Sequence, residues 1–182
     1  QNWAGNISYW MGFSIDCGNY VPITYVPDDN FEQALIDLGY DDVLDDYVVI
    51  DSISGVTSLD VGEKEISDLT GIEAFTALTE LWCDSNQLTA LDVSANTALT
   101  LLYCWYNELT ALDVSANTSL TSLSCSRNSL TTLDVSNNTA LTYLNCRSNA
   151  LTGLDVSANT ALLELKCYEN PLTALDVSAN TA

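Results

Sequence analysis

The 182-residue sequence contains no histidine and only four cationic residues, which are Lys64, Arg127, Arg147 and Lys166. The lack of histidine removes the commonest general base and transition-metal ligand. With 25 acidic residues, the chain has a formal net charge of −21. A field of that sign repels phosphate, so it argues against binding to DNA, RNA or an anionic membrane surface. These shortages point away from an enzyme and from a nucleic-acid-binding protein, and we expect no cofactor.

Long apolar runs are also missing, because none approaches the roughly 18 residues that a membrane-spanning helix needs. We therefore expect no direct membrane insertion. The first ten residues, QNWAGNISYW, lack the basic region of a signal peptide, so we expect that a leader was removed or never existed. The hydrophobic content of 47% nevertheless predicts a folded chain.

What the sequence does contain is an internal repeat. Five blocks of 21 residues follow one another without gaps, beginning at Leu78, Leu99, Leu120, Leu141 and Leu162. Their common pattern is L-T-x-L-x-C-x-x-N-x-L-T-x-L-D-V-S-x-N-T-A, in which Leu163 replaces the first Thr of the last block. A repeat of this length predicts a solenoid whose coils contact only their neighbours.

The pattern also predicts how each coil is built. Alternation in L-x-x-L-x-C places Leu81 and Cys83 on one face of a strand and Glu80, Trp82 and Asp84 on the other. Stacked coils then form a parallel sheet with leucine and cysteine inside. A ladder of asparagines is expected to satisfy backbone groups where the chain turns: Asn86, Asn107, Asn128, Asn149 and Asn170. A column of aspartates is expected to cap short 3₁₀ segments on the outer side: Asp92, Asp113, Asp134, Asp155 and Asp176.

The blocks from Leu78 to Ala182 resemble the bacterial 21-residue leucine-rich repeats of the IRREKO type, with Cys in place of one framework Leu. The preceding VTSLDVGEKEISDLTGIEAFTAL resembles an internalin-like repeat of 22 residues. Further upstream, YVPDDNFEQALIDLGYDD resembles the N-terminal cap of secreted repeat proteins from Bacteroidetes-type bacteria. The resemblance implies a right-handed leucine-rich-repeat solenoid, in the α/β repeat class, with a concave parallel sheet, short 3₁₀ or irregular convex segments and a small helical cap. It also implies a secreted or outer-surface location.

The predicted organisation has four parts. Residues 1–25 form an aromatic segment of unassigned role, for which an added strand, a piece of a preceding domain and an interaction arm are all open. Residues 26–55 form the cap, with a helix at about 28–38 that follows Asp28 or Asp29 as N-cap. Residues 56–77 form a first, irregular repeat, and residues 78–182 form the five regular ones.

The cysteines and the acidic cap offer two kinds of site besides the strands. Five cysteines recur every 21 residues at an inward position, which favours buried thiols over a metal or redox ladder. Cys17 lies outside that column, so we leave open whether it is free or pairs with another molecule. In the cap, Asp41, Asp42, Asp45 and Asp46 are candidate oxygen ligands for Ca²⁺, and a solvated acidic surface is the alternative.

The outward strand positions vary strongly from block to block, whereas LTALDVSANT is repeated unchanged at Leu88, Leu109 and Leu172. The variable positions are the third, fifth, seventh, eighth and tenth of each block. Together they carry five acidic and three basic residues, so this set is nearly neutral on an acidic chain. Drift at tolerant positions would leave small polar residues, but this set is rich in Trp, Tyr and Arg, which populate binding surfaces. The candidate partner-binding residues are Glu80, Trp82, Asp84, Tyr103, Trp105, Tyr106, Arg127, Tyr143, Asn145, Arg147, Lys166 and Tyr168.

The sequence therefore predicts a non-catalytic recognition module that binds a protein through its variable concave face, in adhesion or another interaction. Two alternatives stay open. Stacked aromatic rings beside carboxylates also suit a glycan, and pairing of two aromatic faces would give a homodimer or a structural stalk.

Overall fold

The computed structural model describes residues 13–16 and 19–181, and it contains two sheets. Strands β1 (Phe13–Asp16), β2 (Asn19–Tyr25) and β3 (Tyr47–Val49) form an antiparallel sheet in that order. Helices α1 (Asp29–Asp37) and α2 (Ile50–Ile53) flank β3 in the chain. The predicted segment 1–25 thus contributes two strands. Its residues 1–12, together with Cys17, lie outside the described part.

Helix α1 starts where its N-cap predicts, and that same cap fastens the helix to the repeats. The Asp28 Oδ1 atom accepts hydrogen bonds from the backbone N–H groups of Asn30 and Phe31, each at 3.0 Å. Its Oδ2 atom accepts from the N–H and the hydroxyl of Ser67, at 2.8 and 2.7 Å, and from the N–H of Asp68. Burial alone would raise the pKa of Asp28, but these hydrogen bonds outweigh burial and lower it.

A second buried carboxylate organises the acidic loop of the cap. Glu32 is fully buried, and its Oε1 atom accepts from the N–H groups of Asp45 and Tyr47, at 3.0 and 3.1 Å. Its other oxygen has no hydrogen-bond partner, and burial raises the pKa of Glu32. The loop is therefore folded around a glutamate of α1, which gives part of the acidic segment a structural role.

The second sheet is the parallel sheet of the solenoid, with one short strand from each coil. Its strands, in order, are β4 (Ser58–Asp60), β5 (Glu80–Trp82), β6 (Leu101–Tyr103), β7 (Ser122–Ser124), β8 (Tyr143–Asn145) and β9 (Glu164–Lys166). Residues 21 or 22 apart pair across neighbouring strands, so each repeat position forms a column up the stack.

The core of the solenoid is built from the constant apolar residues of the repeat. The central leucine of each strand is buried from β4 to β8, and the valine of D-V-S packs from the opposite side in the first four regular coils. Phe31 of the cap lies against Phe75 of the first coil, with ring centroids 6.5 Å apart. Cap and coils thus share one hydrophobic core. No helix in the described part of the chain is long and apolar enough to cross a membrane.

Gly71 shows how closely the first coil approaches the cap. Its φ angle is 104°, a left-handed value that favours glycine. A Cβ atom here would lie 2.6 Å from the Val26 Cγ2 atom and 2.9 Å from the Tyr25 carbonyl oxygen. Any side chain at this position would therefore push the irregular repeat away from the sheet of the cap.

Candidate functional site

The strand register places the variable residues in columns on one face of the sheet. The fifth repeat position pairs Trp82 with Tyr103, then Ser124, Asn145 and Lys166 in successive strands. The third position forms a parallel column of Glu80, Leu101, Ser122, Tyr143 and Glu164. All the outward residues of β5 and β6 are half-buried, as expected for side chains that lean on those of the next coil.

Beyond the strands, the backbone ladder continues and brings the seventh and eighth positions onto the same face. The N–H of Ser85 donates to the carbonyl of Trp105 at 2.9 Å, and that of Arg127 donates to the carbonyl of Arg147 at 3.0 Å. The structure therefore places the twelve candidate partner-binding residues on one continuous surface, which we call the strand face. Tyr106 is 56% exposed, so a large ring is presented to solvent there.

Aromatic rings of neighbouring coils contact one another on the strand face. Trp82 and Tyr103 pack edge to face, with centroids 6.4 Å apart and an interplanar angle of 88°. The Tyr103 hydroxyl lies 3.2 Å from the Ser122 hydroxyl. These contacts fix the rings in place, which lowers the entropy cost of binding a partner.

Each basic residue of the strand face lies over a tyrosine of an adjacent coil. The guanidinium carbon of Arg127 is 5.9 Å from the Tyr106 centroid, and that of Arg147 is 5.6 Å from the Tyr168 centroid. Lys166 Nζ lies 5.2 Å from the Tyr143 centroid. The face therefore carries three cation–aromatic pairs.

The ionic environments of these cations differ. Lys166 makes a salt bridge of 2.8 Å to Glu164, and this bond raises the pKa of Lys166. It is the only salt bridge within residues 13–16 and 19–181. Arg147 instead donates from Nη1 to the Tyr168 hydroxyl at 2.8 Å. Two arginines of a strongly acidic protein thus have no carboxylate partner among the described residues.

A notch interrupts the strand face at the third regular coil. Its floor is formed by Ser124 and Ser126, which are only 4% and 3% exposed. These serines point outward, as predicted, but the larger side chains of both neighbouring coils stand above them. The notch has a volume of about 250 Å³, and its walls are Tyr103 and Trp105 on one side and Tyr143, Asn145 and Arg147 on the other. A depression of about 350 Å³ elsewhere is lined by outer-side residues of the first two coils, away from the strand face.

The eighth repeat position has a left-handed backbone in every regular coil. The five residues are Ser85, Tyr106, Arg127, Ser148 and Glu169, with φ between 53° and 57°. None is glycine, although this conformation costs other residues roughly 1–2 kcal/mol. The turn after the strand requires this backbone, and it presents the Tyr106 and Arg127 side chains at the edge of the strand face.

The asparagine ladder beside that turn makes the contacts that the sequence predicts. The Asn107 Nδ2 atom donates to the carbonyls of Cys83 and Cys104, at 3.0 and 3.1 Å. Its Oδ1 atom accepts from the N–H of Leu88 at 3.0 Å. Each such asparagine therefore connects its own coil to the preceding one.

The inward cysteines are free thiols packed in the core, as predicted. Cys83, Cys104, Cys125 and Cys146 are buried, and Cys167 is half-buried. Burial raises the pKa of each thiol, to about 12 for Cys146. Protonated, buried thiols are poor nucleophiles and poor metal ligands, so they act as core residues.

On the outer side, the structure corrects one prediction and adds a second asparagine ladder. Each column aspartate opens a turn by accepting from the N–H two residues later, for example Ser115 to Asp113 at 2.8 Å. Consecutive turns follow in the regular coils in place of the expected 3₁₀ segments, and the one described 3₁₀ helix is Ile72–Ala74 in the irregular repeat. The aspartates therefore stabilise turns and do not cap 3₁₀ segments.

The second ladder consists of the asparagines of the S-x-N-T motif, which were not predicted from the sequence to have this role. Asn117 is fully buried, and its Nδ2 atom donates to the carbonyls of Val93 and Asn96 in the preceding coil, at 3.0 and 2.9 Å. The recurring Asn at a second fixed position was the available signal. In a sequence, however, that residue is indistinguishable from an exposed turn asparagine.

The acidic candidates occupy two places. Burial raises the pKa of Asp84, with the charges of Asp60 and Glu63 adding to the effect. In the cap, burial and the charges of Asp45 and Asp42 raise the pKa of Asp41. Among the residues with described positions, no group of three or more His, Cys, Asp or Glu side chains is arranged to hold a metal ion. A Ca²⁺ site at Asp41, Asp42, Asp45 and Asp46 gains no geometric support and stays a prediction.

Comparisons with known proteins agree with this geometry. No family model matches the chain. Internalin J from Listeria monocytogenes serotype 4b (strain F2365) is 47% identical over 72 residues, which make up 40% of this chain and 8% of that protein. The solved functional domain of InlJ from Listeria monocytogenes, described as including a cysteine ladder, superposes with a TM-score of 0.82 at 45% identity. That alignment covers 88% of this chain and 37% of the solved domain.

A more distant solved structure shows the same fold. The internalin InlF from Listeria monocytogenes strain 4b F2365 superposes with a TM-score of 0.61 at 20% identity, over 83% of this chain and 59% of that one. The chain thus spans well under half of the InlJ proteins that it matches. The described part of the chain is an internalin-like leucine-rich-repeat solenoid.

Proposed function

We propose that the chain is a non-catalytic recognition module of a secreted or surface-displayed bacterial protein, and that it binds a protein partner through the strand face. The observation that carries the proposal is the continuous surface of aromatic and basic side chains on β5 to β9. Its rings and guanidinium groups are already held by Trp82–Tyr103, Arg127–Tyr106 and related contacts. Concave sheets of stacked coils commonly serve as extended binding surfaces.

The composition of the strand face supports a protein partner. Trp, Tyr and Arg dominate the energetics of protein interfaces, and large exposed aromatic surfaces are uncommon without a partner. The face is broad and shallow, apart from the notch and an open depression of about 370 Å³ at its edge, beside Tyr106 and Arg127. Deep pockets suit small molecules, whereas a broad surface suits a protein. A glycan stacked on Trp105 or Tyr106, and a dimer formed by two strand faces, are the alternatives.

The test compares a strand-face variant with a matched outer-side variant. The protein is applied to arrays of purified extracellular proteins and of glycans, and each bound species is titrated against Trp105→Ala/Tyr106→Ala and against Thr110→Ala/Thr118→Ala. We expect the first variant to weaken binding of the protein hits by about 2 kcal/mol or more. The second, which changes exposed outer-side residues, should bind like the wild type. Both should melt within a few degrees of the wild type, roughly the shift that 0.5 kcal/mol produces.

Other outcomes identify the alternatives. Hits that are confined to the glycan array would replace the protein partner with a sugar. A concentration-dependent dimer on size-exclusion chromatography that the Trp105→Ala/Tyr106→Ala variant abolishes would indicate self-association. Loss of binding in the outer-side variant alone would contradict the assignment of the strand face.

A further inference from the structure

The polar groups that line the notch are all able to donate hydrogen bonds. They are the hydroxyls of Ser124 and Ser126, the amide of Asn145 and the guanidinium of Arg147, beside the tyrosine hydroxyls of the walls. No Asp or Glu lines it. In a chain with 25 acidic and four basic residues, a depression without carboxylates is an unusual local environment. Its chemistry suits a ligand that accepts hydrogen bonds and carries negative charge.

Arg147 is oriented but not neutralised. Its described side-chain hydrogen bond goes to the Tyr168 hydroxyl, so most of its five N–H donors are left without a protein acceptor. Lys166, only one coil further, shows the contrast because Glu164 already neutralises it. A guanidinium that is held by an aromatic ring and has free donors is arranged for bidentate contact with a carboxylate.

The floor of the notch supplies an independent observation. Ser124 and Ser126 are more than nine-tenths buried, yet neither hydroxyl has a hydrogen-bond partner among the described residues. The hydroxyl oxygens themselves are open to the notch, which both residues line, and neither is among the sealed-off unpaired atoms. Hydroxyls in such an enclosed position normally have a partner. An acceptor group placed in the notch would satisfy both of them.

The walls determine what accompanies the acceptor. Tyr103, Trp105 and Tyr143 present aromatic surface above the serines. At about 250 Å³ the notch lies below the roughly 300–1,000 Å³ of pockets that hold drug-sized ligands, so it fits a single side chain. We infer that the notch receives the carboxylate side chain of an acidic, extended segment of the protein partner. Arg147 and Asn145 bind the carboxylate, the serine hydroxyls donate to it, and the aromatic walls pack on its methylene groups and on its apolar neighbours.

This inference rests on the proposed function, because it names the chemistry of the segment that the strand face binds. It also accounts for the location of the basic residues. Three of the four cations of the chain lie on the strand face, and two of those three lack a carboxylate partner in the described part of the chain. They provide local attraction for an acidic segment against the repulsive field of the whole molecule.

The experiment uses two synthetic peptides that differ only in charge. The acidic probe is acetyl-Gly-Phe-Glu-Glu-Phe-Gly-amide, and its control carries Gln in place of both Glu residues. Each is titrated into the isotopically labelled protein at about 0.15 M salt, where the Debye length of about 8 Å limits long-range repulsion. The indole N–H signal of Trp105 and the side-chain Nε–H signal of Arg147 report binding. We expect the acidic peptide to bind at least about ten-fold more tightly than its control, as a charge-assisted hydrogen bond predicts.

Two variants with the same change in net charge test the assignment to Arg147. Arg147→Gln should make the two peptides bind alike. Lys64→Gln removes a positive charge from the first coil, away from the notch, and should preserve the preference for the acidic peptide. Equal binding of both peptides to the wild type, absence of binding by either, or an equal loss in both variants would overturn the inference.

A further arm separates this inference from the proposed function. If trigalacturonate binds and neither peptide does, the carboxylate belongs to a sugar and the acidic-peptide assignment fails. If the peptides show no charge preference but the array hits are still lost in Trp105→Ala/Tyr106→Ala, the strand face binds a partner and only the acidic segment is wrong. If instead the acidic peptide is preferred but the array hits survive that double variant, the proposed function fails and the notch is an isolated anion site.

Discussion

The outer half of each coil and the outward positions of its strand half are joined to the neighbouring coils by different contacts. In the outer half, the fully buried side chain of Asn117 donates to two carbonyls of the preceding coil. On the strand half, the bonds at the outward positions run from backbone to backbone, as from the Cys104 N–H to the Ser124 carbonyl at 2.9 Å. A backbone bond does not depend on the outward side chain. The outward residues of the strands can therefore vary, whereas the sequence of the outer half is constrained. This freedom makes the strand face available for recognition.

The largest predicted effect is at the buried asparagine ladder. Asn117→Ala removes two hydrogen bonds to backbone carbonyls and leaves a cavity, so we expect a loss of about 2–3 kcal/mol in the free energy of unfolding. Urea denaturation measures it. The neighbouring exposed change Thr118→Ala should cost less than about 0.5 kcal/mol. A similar small cost for Asn117→Ala would mean that the outer half does not depend on this ladder.

The next effect concerns the inward face of the strand half, at Cys125. Its side chain is fully buried among leucines, and Cys125→Ser places an unpaired hydroxyl there. We expect a loss of about 2 kcal/mol. Cys125→Ala, which keeps the site apolar, should be less harmful. If serine were tolerated better than alanine, the column would have polar contacts or solvent that burial does not reveal.

Two carboxylates of the cap should make the free energy of unfolding change with pH in opposite directions. The pKa of Asp28 is lowered, so its stabilising effect is present above the unfolded pKa near 3.8 and is lost as the pH falls through the lower folded value. The pKa of Glu32 is raised, so its effect is present below the unfolded pKa near 4.5 and is lost as the pH rises through the higher folded value.

The corresponding variants are Asp28→Asn and Glu32→Gln, compared by urea midpoints between about pH 3 and pH 7, a range that brackets both unfolded values. Asp28→Asn should become more destabilising, relative to wild type, as the pH rises. Glu32→Gln should become less destabilising, relative to wild type, as the pH rises. If the destabilisation by both variants changed with pH in the same direction, burial of Glu32 would not penalise its charged form.

Much of this architecture could be predicted from spacing alone. Period-two alternation gave the inward positions of Leu81 and Cys83, and the repeat length gave the columns of the strand face. The buried ladder of Asn117 could not be predicted, because an asparagine in a turn motif is equally consistent with exposure. The notch depends on relative side-chain heights across three coils, so a list of outward positions does not reveal that Ser124 and Ser126 lie beneath their neighbours. The sequence signal was present in SLSCSRNS, a serine-rich coil between two coils with large side chains.

The smallest effect tests the backbone strain at the eighth repeat position. Ser85 has φ of 55°, so Ser85→Gly relieves a left-handed conformation at the cost of a more flexible unfolded chain. We expect a net gain of about 0.5 kcal/mol in stability. Ser124→Gly makes the same exchange inside strand β7 and should instead cost about 0.5–1 kcal/mol. If both glycine variants lost stability, the turn would not strain Ser85.

Tyr106 and Arg127 occupy the same left-handed position as Ser85, with larger side chains. If Ser85→Gly stabilises the fold, these two residues also lower its stability through their backbone conformation. Tyr106→Gly should then leave the free energy of unfolding unchanged or higher by about 0.5 kcal/mol, and it should weaken binding of the array hits. A variant that folds better but binds worse would show that the side chain at this turn serves recognition. A variant that loses stability without losing binding would show that Tyr106 instead supports Arg127, whose guanidinium lies over the Tyr106 ring.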